Sequence, residues 1–284
     1  MGKLVIQKVN GLVSIQDKGR FGARKFGIPQ SGVMDLNAMN KANVMVGNSP
    51  DFPVIEYVLY GFSLRAVENS KLGFAGAHSD LFLNGSLIDQ RIVSLKAGDQ
   101  LKVGAPSRGN YGYMSVSGKI AAKYDFNSYS TYPLAKLGGL NGQYLKVNDI
   151  LLSKDLKISI KQDVVPPVQK DTIRIMKGPE WNLLREHPKL KSFRISSDSN
   201  RMAITFIGEP IAHDRKEMKS SAVIPGIIQL PPNGIPTILM KDCQTTGGYP
   251  RIAKVLDEDL GKVAQRQPGA SIEFQLVDND YNTK

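Results

Sequence analysis

The sequence contains very little cysteine or histidine. Cys243 is the single cysteine among 284 residues, so it cannot form an internal disulfide or build a thiolate metal site alone. The histidines, His78, His187 and His213, are isolated and lack the spacing of metal ligands, so no metal site is expected. No apolar run approaches the ~20 residues that cross a bilayer, and the first residues lack the apolar core of a signal peptide. These absences predict a cytoplasmic protein without membrane contact.

Two common nucleotide-binding signatures are also absent. There is no phosphate loop of the form Gly-x-x-x-x-Gly-Lys-Ser/Thr, and no Gly-x-Gly-x-x-Gly follows a strand. The chain has 37 Lys and Arg against 26 Asp and Glu, a net charge of +11, but its lysines are scattered singly. We interpret this excess as a solvated surface rather than a nucleic-acid interface. A second interpretation is that the charge attracts anionic small molecules or an acidic partner protein.

Short β-strands dominate what the sequence does contain. Apolar and polar residues alternate over short stretches bounded by Gly, Asn or Asp, both in the first half and in the second. This pattern is typical of a β-sandwich or barrel. The predicted strands include 4–6, 12–16, 62–67, 81–83, 92–95, 172–176, 193–196, 227–230, 236–240 and 271–277.

Helices are predicted at few positions. The clearest spans about 34–46, and either Ser31 or Asp35 caps its start. A shorter helix is predicted after Asp257, and a third opens near Trp181. The fold class is therefore mainly β with a few short helices.

A linker is predicted in the middle of the chain. Adjacent prolines in the segment 163–170 cannot continue a helix or a sheet ladder, so this segment is expected to be extended. It divides the chain into an N-terminal lobe, 1–165, and a C-terminal lobe, 166–284. A groove between two β-rich lobes is a natural place for a ligand.

Two polar segments of the first lobe are candidates for chemistry. In the first, Gln16 and Asp17 end a strand, and Arg20 follows around a glycine. Asp17 and Arg20 either hold a turn together, or Arg20 grips a carboxylate or phosphate that Asp17 positions. In the second, Ser31 and Asp35 stand at the predicted helix start, where backbone amides attract anions. Simple helix capping is the alternative.

Two further polar residues of the first lobe are candidates. Asn48 follows the end of the predicted helix, and Glu56 lies inside the apolar stretch 54–58. A carboxylate between such neighbours needs a partner if it is buried. It is equally consistent with the outward member of an alternating strand.

The second lobe contains two comparable segments. Asp198 and Arg201 follow a predicted strand, so one Asp/Arg turn per lobe is available to bind an anion. The other segment, 241–250, is polar and glycine-rich directly after a strongly apolar strand. We expect Gly247 and Gly248 to form a nest of backbone amides for an oxyanion. A Cys-His nucleophile using Cys243 is not expected, because no nearby feature marks a base.

Several motifs occur in one collinear order over essentially the whole chain: QDKGRFG (16–22), GIPQSGVMD (27–35), ANVMVGN (42–48), SDSNRM (197–202), PGIIQLPPNG (225–234), QTTGGYP (244–250) and AQRQPG (264–269). By these motifs the sequence resembles the biotin-dependent carboxyltransferase family, which includes the C subunit of 5-oxoprolinase, KipA and the second subunit of allophanate hydrolase. A Gly-Ser-Arg-Ser-Thr segment of the family is replaced here by NSYST (127–131), which lacks the arginine.

The resemblance implies two cyclophilin-like β-barrel lobes and a multi-subunit assembly. It implies a KipI-like partner, which is the B subunit of 5-oxoprolinase, and an A subunit of the LamB/YcsF type. The implied reaction is the ATP-dependent opening of 5-oxoproline to glutamate by the complex. A first alternative is carboxyl transfer to urea from carboxybiotin on a separate carrier chain. A second alternative is a KipA-like regulatory protein that binds a KipI-like kinase inhibitor.

The candidate site residues fall into two groups under this hypothesis. The catalytic candidates supply acids, guanidinium groups and one amide: Asp17, Arg20, Asp198, Arg201, Asp242 and Gln244. The substrate-binding candidates supply hydroxyl groups, amides and further acids: Gln16, Ser31, Asp35, Asn48, Glu56, Thr245, Thr246, Gly247, Gly248 and Tyr249. Such donors and arginines are needed because amide-like substrates develop negative charge during the reaction.

Overall fold

A computed structural model describes residues 2–154, 172–185, 193–214 and 218–277. The fold is mainly β with curled sheets and few short helices, so the predicted fold class is confirmed. The described residues divide into two compact units. The first contains residues 2–21 and 31–154, and the second contains residues 22–30 together with those from 172 onward. The predicted linker, 163–170, and the predicted boundary at 165/166 lie outside the described residues.

The first unit contains twelve strands among its described residues. They are β1 (Gly2–Val9), β2 (Leu12–Gln16), β3 (Val54–Val58), β4 (Phe62–Ala66), β5 (Ser70–His78), β6 (Leu81–Leu83), β7 (Ser86–Ile88), β8 (Ile92–Leu95), β9 (Gln100–Val103), β10 (Arg108–Val116), β11 (Lys119–Ile120) and β12 (Ile150–Lys154). One helix, α1 (Leu36–Met45), and a 3-10 turn, Pro133–Ala135, accompany them.

These strands form two sheets around one core. A seven-stranded sheet has the order β11-β12-β1-β4-β9-β6-β7, and a five-stranded sheet has the order β2-β3-β10-β5-β8. Alternate residues of each strand point inward, so Leu4 and Ile6 of β1 and Val13 and Ile15 of β2 are fully buried. Both pairs belong to the same apolar cluster, which joins the two sheets.

The helix α1 begins one residue after Asp35. The Asp35 carboxylate accepts a hydrogen bond of 3.1 Å from the Ala38 N–H, which identifies Asp35 rather than Ser31 as the cap. Ala38, Met39 and Ala42 of this helix are buried. The helix is shorter than predicted because Met34 lies before the cap.

The second unit contains nine strands among its described residues. They are β13 (Ile173–Lys177), β14 (Arg194–Ile195), β15 (Ala203–Ile207), β16 (Ser221–Ala222), β17 (Ile227–Gln229), β18 (Thr237–Leu239), β19 (Thr246–Gly247), β20 (Arg251–Val255) and β21 (Phe274–Leu276). The helical pieces are the 3-10 turns Arg24–Phe26, Trp181–Leu183 and Asp257–Asp259 and the helix α2 (Leu260–Ala264). The helix predicted near Trp181 is thus only one 3-10 turn.

Seven of these strands form one sheet of the second unit. Its order is β14-β15-β18-β17-β20-β13-β21, in which β13 and β21 are parallel. The strands β16 and β19 form a separate two-stranded ribbon. Within the described residues, no helix is long and apolar enough to cross a membrane.

A buried carboxylate joins this sheet to α2. Asp259 has a side chain that is 1% exposed, and it accepts hydrogen bonds from the Arg174 backbone at 2.9 Å and from Arg174 Nε at 2.8 Å. Lys262 Nζ lies 2.8 Å from the same carboxylate. Burial alone would raise the pKa of Asp259, but the bonds from Arg174 and Lys262 outweigh burial and hold that pKa well below its usual range.

Replacement of Asp259 by Asn will destabilise the second unit at neutral pH, by about 2 kcal/mol, because the charged acceptor is lost. The depressed pKa means that the carboxylate stabilises the fold above about pH 4 and loses this contribution as the pH falls toward the folded-state pKa. The difference between wild type and Asp259→Asn will therefore shrink at pH 2. Trp181, the single tryptophan, reports urea unfolding of this unit by fluorescence.

The matched control is Asp257→Asn, which removes an exposed carboxylate paired with Lys254. An exposed ion pair contributes little to the free energy of unfolding, so this variant will unfold at the same urea concentration as wild type. Equal stability of the Asp259 and Asp257 variants at pH 7 would contradict the assignment.

Candidate functional site

The carboxylate of Asp17 is enclosed by hydrogen-bond donors from a loop of the first unit. Its Oδ1 accepts from the Gly19 N–H at 2.9 Å and from the hydroxyl groups of Ser128, at 2.6 Å, and Ser130. Its Oδ2 accepts from the Tyr129 N–H at 2.7 Å. Asp17 is only 7% exposed. The three donors from residues 128–130 anchor the end of β2 to the loop that follows β11.

Arg20 follows Asp17 in the chain and is completely buried. Its Nη2 donates to the carbonyl oxygen of Ser130. A Cβ on Gly138 would lie 2.1 Å from that oxygen and 2.8 Å from Arg20 Nη2, which is why glycine is needed where the loop turns back. Arg20 therefore stabilises the loop, and the turn-holding interpretation of the Asp17–Arg20 segment is the one that the contacts support.

Glu56 is buried on β3 and has partners, so the interpretation as an outward-facing residue is wrong. Its Oε2 accepts from the Met34 N–H at 2.8 Å and from the Tyr113 hydroxyl at 2.8 Å. The Tyr113 oxygen in turn accepts from the Asp35 N–H. Burial, reinforced by the negative charges of Glu56 and Asp35, raises the pKa of Tyr113 well above its usual value. This network fixes the residues that lead into α1.

Asn48 lies beyond the opposite end of α1 from Asp35, and the ten residues of the helix span about 15 Å. Its amide donates to the Val116 carbonyl at 2.8 Å and to Ser115 Oγ at 3.0 Å, and its oxygen accepts from the Gly118 N–H at 2.8 Å. Asn48 thus ties the helix to β10 and is not brought together with the other candidates of this unit.

Gln16 and Ser31 are buried polar residues, one directly before Asp17 in the chain and one after it. Gln16 Nε2 donates to Ser14 Oγ and to the Thr131 carbonyl, but Gln16 Oε1 has no hydrogen-bond partner among the described residues. The hydroxyl of Ser31 likewise has none there, and its φ of 52° is in the left-handed region. Val33 N–H donates to the Asp17 carbonyl at 2.8 Å, which joins the two segments. The structure therefore connects Gln16, Asp17 and the segment 31–35.

The second unit pairs Arg201 with Asp242 rather than with Asp198. Arg201 Nε and Nη2 donate to the two Asp242 carboxylate oxygens at 2.7 and 3.2 Å. Both side chains are about nine-tenths buried. Asp198 is exposed. The Arg201 guanidinium of the predicted Asp198–Arg201 turn therefore already binds a carboxylate, because the segment that follows β18 carries Asp242 to it.

The predicted glycine nest is also wrong. A nest needs a residue in the left-handed region, but neither Gly247 nor Gly248 has a positive φ. Gly247 instead pairs with Ser221 in the β16–β19 ribbon. A Cβ on Gly247 would lie 2.6 Å from Gln229 Nε2, so the two residues are closely packed.

The segment from Gln244 to Tyr249 nevertheless presents polar groups to solvent. Gln244, Thr246, Gly248 and Tyr249 are exposed, and Thr245 is partly buried. Gln244 Nε2 donates to Gln229 Oε1 at 3.2 Å, which links the segment to β17. We call residues 244–249 the glutamine loop. Together with Asp198, this loop contains the candidates of the second unit that are exposed and so available to a ligand.

Two residues beside this loop were not predicted from the sequence. Arg24 donates to the carbonyl oxygens of Val223 and, at 2.8 Å, of Gln244. Gln229 is 2% exposed, and its Nε2 has no hydrogen-bond partner among the described residues. Gln229 lies in the motif PGIIQLPPNG (225–234), and this motif is the sequence signal that could have identified it. Nothing in the sequence indicated that the segment around Arg24 belongs to the second unit.

Two other features of the described parts of the chain add nothing to the candidate set. No group of three or more His, Cys, Asp or Glu side chains there would hold a metal ion. A half-open cavity of about 220 Å³ lies between β13, β17 and β20, and none of the predicted site residues lines it. The candidate set in the second unit therefore stays centred on the glutamine loop.

Comparisons with known proteins match nearly the whole chain. A family profile described as carboxyltransferase domain, subdomain A and B, matches residues 26–276. The chain is 35% identical over 279 residues to the C subunit of 5-oxoprolinase from Haemophilus influenzae, covering 96% of this chain and 90% of the relative. It is 32% identical over 279 residues to the C subunit of 5-oxoprolinase from Escherichia coli, covering 95% and 90%.

A solved structure matches as well. The Kluyveromyces lactis urea carboxylase superposes with a TM-score of 0.88 at 26% identity. That match covers 98% of this chain but 27% of the other, so this chain spans about a quarter of the larger protein.

Asp17→Asn will loosen the loop that carries Ser128 to Ser130, because the amide NH2 group must face a donor in either orientation. We expect the Tyr129 amide to exchange its hydrogen faster and the first unit to lose about 2 kcal/mol of unfolding free energy. The measurement is hydrogen exchange followed by mass spectrometry.

The matched control is Asp51→Asn, which removes a carboxylate that is 61% exposed and paired with Lys18. This change will leave exchange at Tyr129 unaltered. Unchanged exchange at Tyr129 in Asp17→Asn would show that Asp17 does not anchor the loop.

Proposed function

Because the chain belongs to the biotin-dependent carboxyltransferase family, we propose that it is one subunit of an ATP-dependent 5-oxoprolinase. The proposed complex adds water across the lactam C–N bond of 5-oxoproline and releases glutamate, with hydrolysis of ATP to ADP and phosphate. The observation that carries this proposal is the identity of 35% and 32% to two proteins named as the C subunit of 5-oxoprolinase, over nearly the full length of both chains.

The glutamine loop is the proposed contact with the substrate. Attack on a lactam carbonyl places negative charge on its oxygen, and fixed N–H and O–H donors stabilise that charge. Gln244 and the hydroxyl groups of Thr245 and Thr246 are donors of this kind on an accessible segment. Asp198 and Tyr249 are exposed in the same unit and remain candidates for orienting the substrate.

The buried charged residues have a different proposed role. Asp17, Arg20 and Glu56 are enclosed by the contacts described above, and Arg201 and Asp242 neutralise each other. We assign these residues to holding the site in shape rather than to proton transfer.

ATP and carboxybiotin are proposed co-substrates of the assembled complex. Gly247 and Gly248 do not form a phosphate-binding nest, so they do not favour this loop as the site of the ATP phosphates. The proposed partners, which the family implies, are a KipI-like B subunit and an A subunit of the LamB/YcsF type.

Carboxyl transfer is the second candidate function. The likeness to urea carboxylase favours it, since the structural match covers almost all of this chain. In that case carboxybiotin arrives on a separate carrier chain, and the acceptor is a neutral amide such as urea.

The decisive experiment mixes the purified chain with its partner subunits, ATP and 5-oxoproline. We expect glutamate and ADP in equal amounts, and none without this chain. A parallel reaction supplies urea and a carboxylated biotin carrier. Carboxylation of urea without glutamate formation from a verified, folded complex would reject the 5-oxoprolinase proposal in favour of carboxyl transfer.

Within the active complex, Gln244→Ala will lower kcat/KM for 5-oxoproline by about 100-fold, the effect of losing one oxyanion donor. The matched control is Gln275→Ala, which removes an exposed glutamine on β21 of the same unit. Equal activity of the two variants would contradict the role of the glutamine loop.

A further inference from the structure

Arg24 belongs to a short segment that leaves the first unit and returns to it. Residues 22–30 pack with the second unit, while residues up to 21 and from 31 belong to the first. The segment contains the 3-10 turn Arg24–Phe26. From this turn the guanidinium of Arg24 donates to two backbone carbonyls, those of Val223 and Gln244.

These two carbonyls flank the β16–β19 ribbon. Val223 directly follows β16, and Gln244 lies two residues before β19. The ribbon has only two paired positions, and its own link at this end is the Val223 N–H bond to the Thr245 carbonyl at 3.1 Å. An isolated two-stranded ribbon is marginal in water. Arg24 therefore supplies a charged clamp where the ribbon has little stability of its own.

The clamp holds the backbone of Gln244, a residue whose side chain is exposed. With its carbonyl fixed by Arg24, Gln244 directs its amide to Gln229 Oε1. Gln229 also lies against Gly247, so two positions of the glutamine loop contact the same buried side chain. Without the hydrogen bond from Arg24, Gln244 keeps one among the described residues, the 3.2 Å bond from its side chain to Gln229.

We propose that Arg24 is a positioning residue that holds the glutamine loop in the conformation that contacts the substrate. The proposal rests on the proposed function, because that function assigns substrate contact to this loop. Arg24 acts through the carbonyls of Val223 and Gln244 and does not itself react. Both hydrogen bonds come from Nη2 of the guanidinium, which carries two N–H groups and so donates one to each carbonyl.

Cys243 is a built-in reporter of the loop. It is the only cysteine of the chain, it is 0% exposed, and it directly precedes Gln244. It packs against Val223 and Leu239, and the Arg24 side chain contacts its thiol, so a thiol reagent reaches it when this packing opens. Burial raises the pKa of its thiol, and the nearby Arg24 guanidinium acts in the opposite direction.

The first test measures the rate at which a maleimide labels Cys243 in the full chain. Arg24→Ala will label at least tenfold faster than wild type, at urea concentrations where Trp181 fluorescence still reports a folded second unit. Lys25→Ala is the matched control, since Lys25 is an exposed cation of the same 3-10 turn. Its labelling will equal that of wild type. Unchanged labelling in Arg24→Ala, or faster labelling only where the unit unfolds, would overturn the proposal.

The second test uses the assembled complex. Arg24→Ala will lower kcat/KM for 5-oxoproline about 10- to 100-fold, measured per assembled complex, and leave KM for ATP unchanged, because the displaced donors no longer stabilise the charge that develops on the lactam oxygen. A merely structural role would lower the amount of assembled complex and leave kcat/KM per complex unchanged. Faster labelling with an unchanged kcat/KM for 5-oxoproline would contradict positioning. Absence of glutamate from the wild-type complex would instead reject the proposed function and leave the labelling result standing.

Discussion

Burial of charge is the constraint on which the rest of the structure depends. The Asp17 carboxylate is removed from water at the end of β2, and four donors compensate for the lost hydration. Three of those donors come from a loop more than a hundred residues later in the chain, so the carboxylate fixes the path of that loop. Arg20 holds the same loop through Ser130. In the second unit, the pair Arg201–Asp242 meets the same requirement with a bidentate contact.

This constraint separates the polar residues into two groups with different consequences for function. A carboxylate whose oxygens already accept several protein donors has little capacity left for a substrate. Exposed amide and hydroxyl groups, such as those of Gln244 and Thr246, stay in contact with water and need no such compensation from the protein. The chemistry of the proposed reaction needs donors aimed at a developing oxyanion, and this requirement matches the second group. The family's motifs thus contain both the scaffold and the proposed contact surface.

The sequence predicted the fold class well because strand alternation and turn residues are local signals. It also placed α1 within two residues at its start, and Asp35 proved to be the cap. The pairing of Arg201 with Asp242 was missed because the two residues are 41 positions apart and proximity in the chain favoured Asp198. The nest at Gly247 was mispredicted because glycine permits a left-handed φ but also permits close packing, here against Gln229.

Arg24 illustrates a limit of another kind. It lies between the motifs 16–22 and 27–35, most of whose residues belong to the first unit, and no local pattern indicates that residues 22–30 pack elsewhere. The segment NSYST at 127–131, which replaces the family's arginine-containing segment, gave no local sign of its role either. In the structure, Ser128 and Ser130 of that segment bind Asp17, so it contributes to the scaffold.

The most direct test of this division of roles is hydrogen exchange on the assembled complex with and without 5-oxoproline. Substrate contact through the glutamine loop predicts slower exchange at residues 244–249 and no change at Tyr129. Slower exchange at Tyr129 with none at 244–249 would place the substrate at the Asp17 loop and contradict the account.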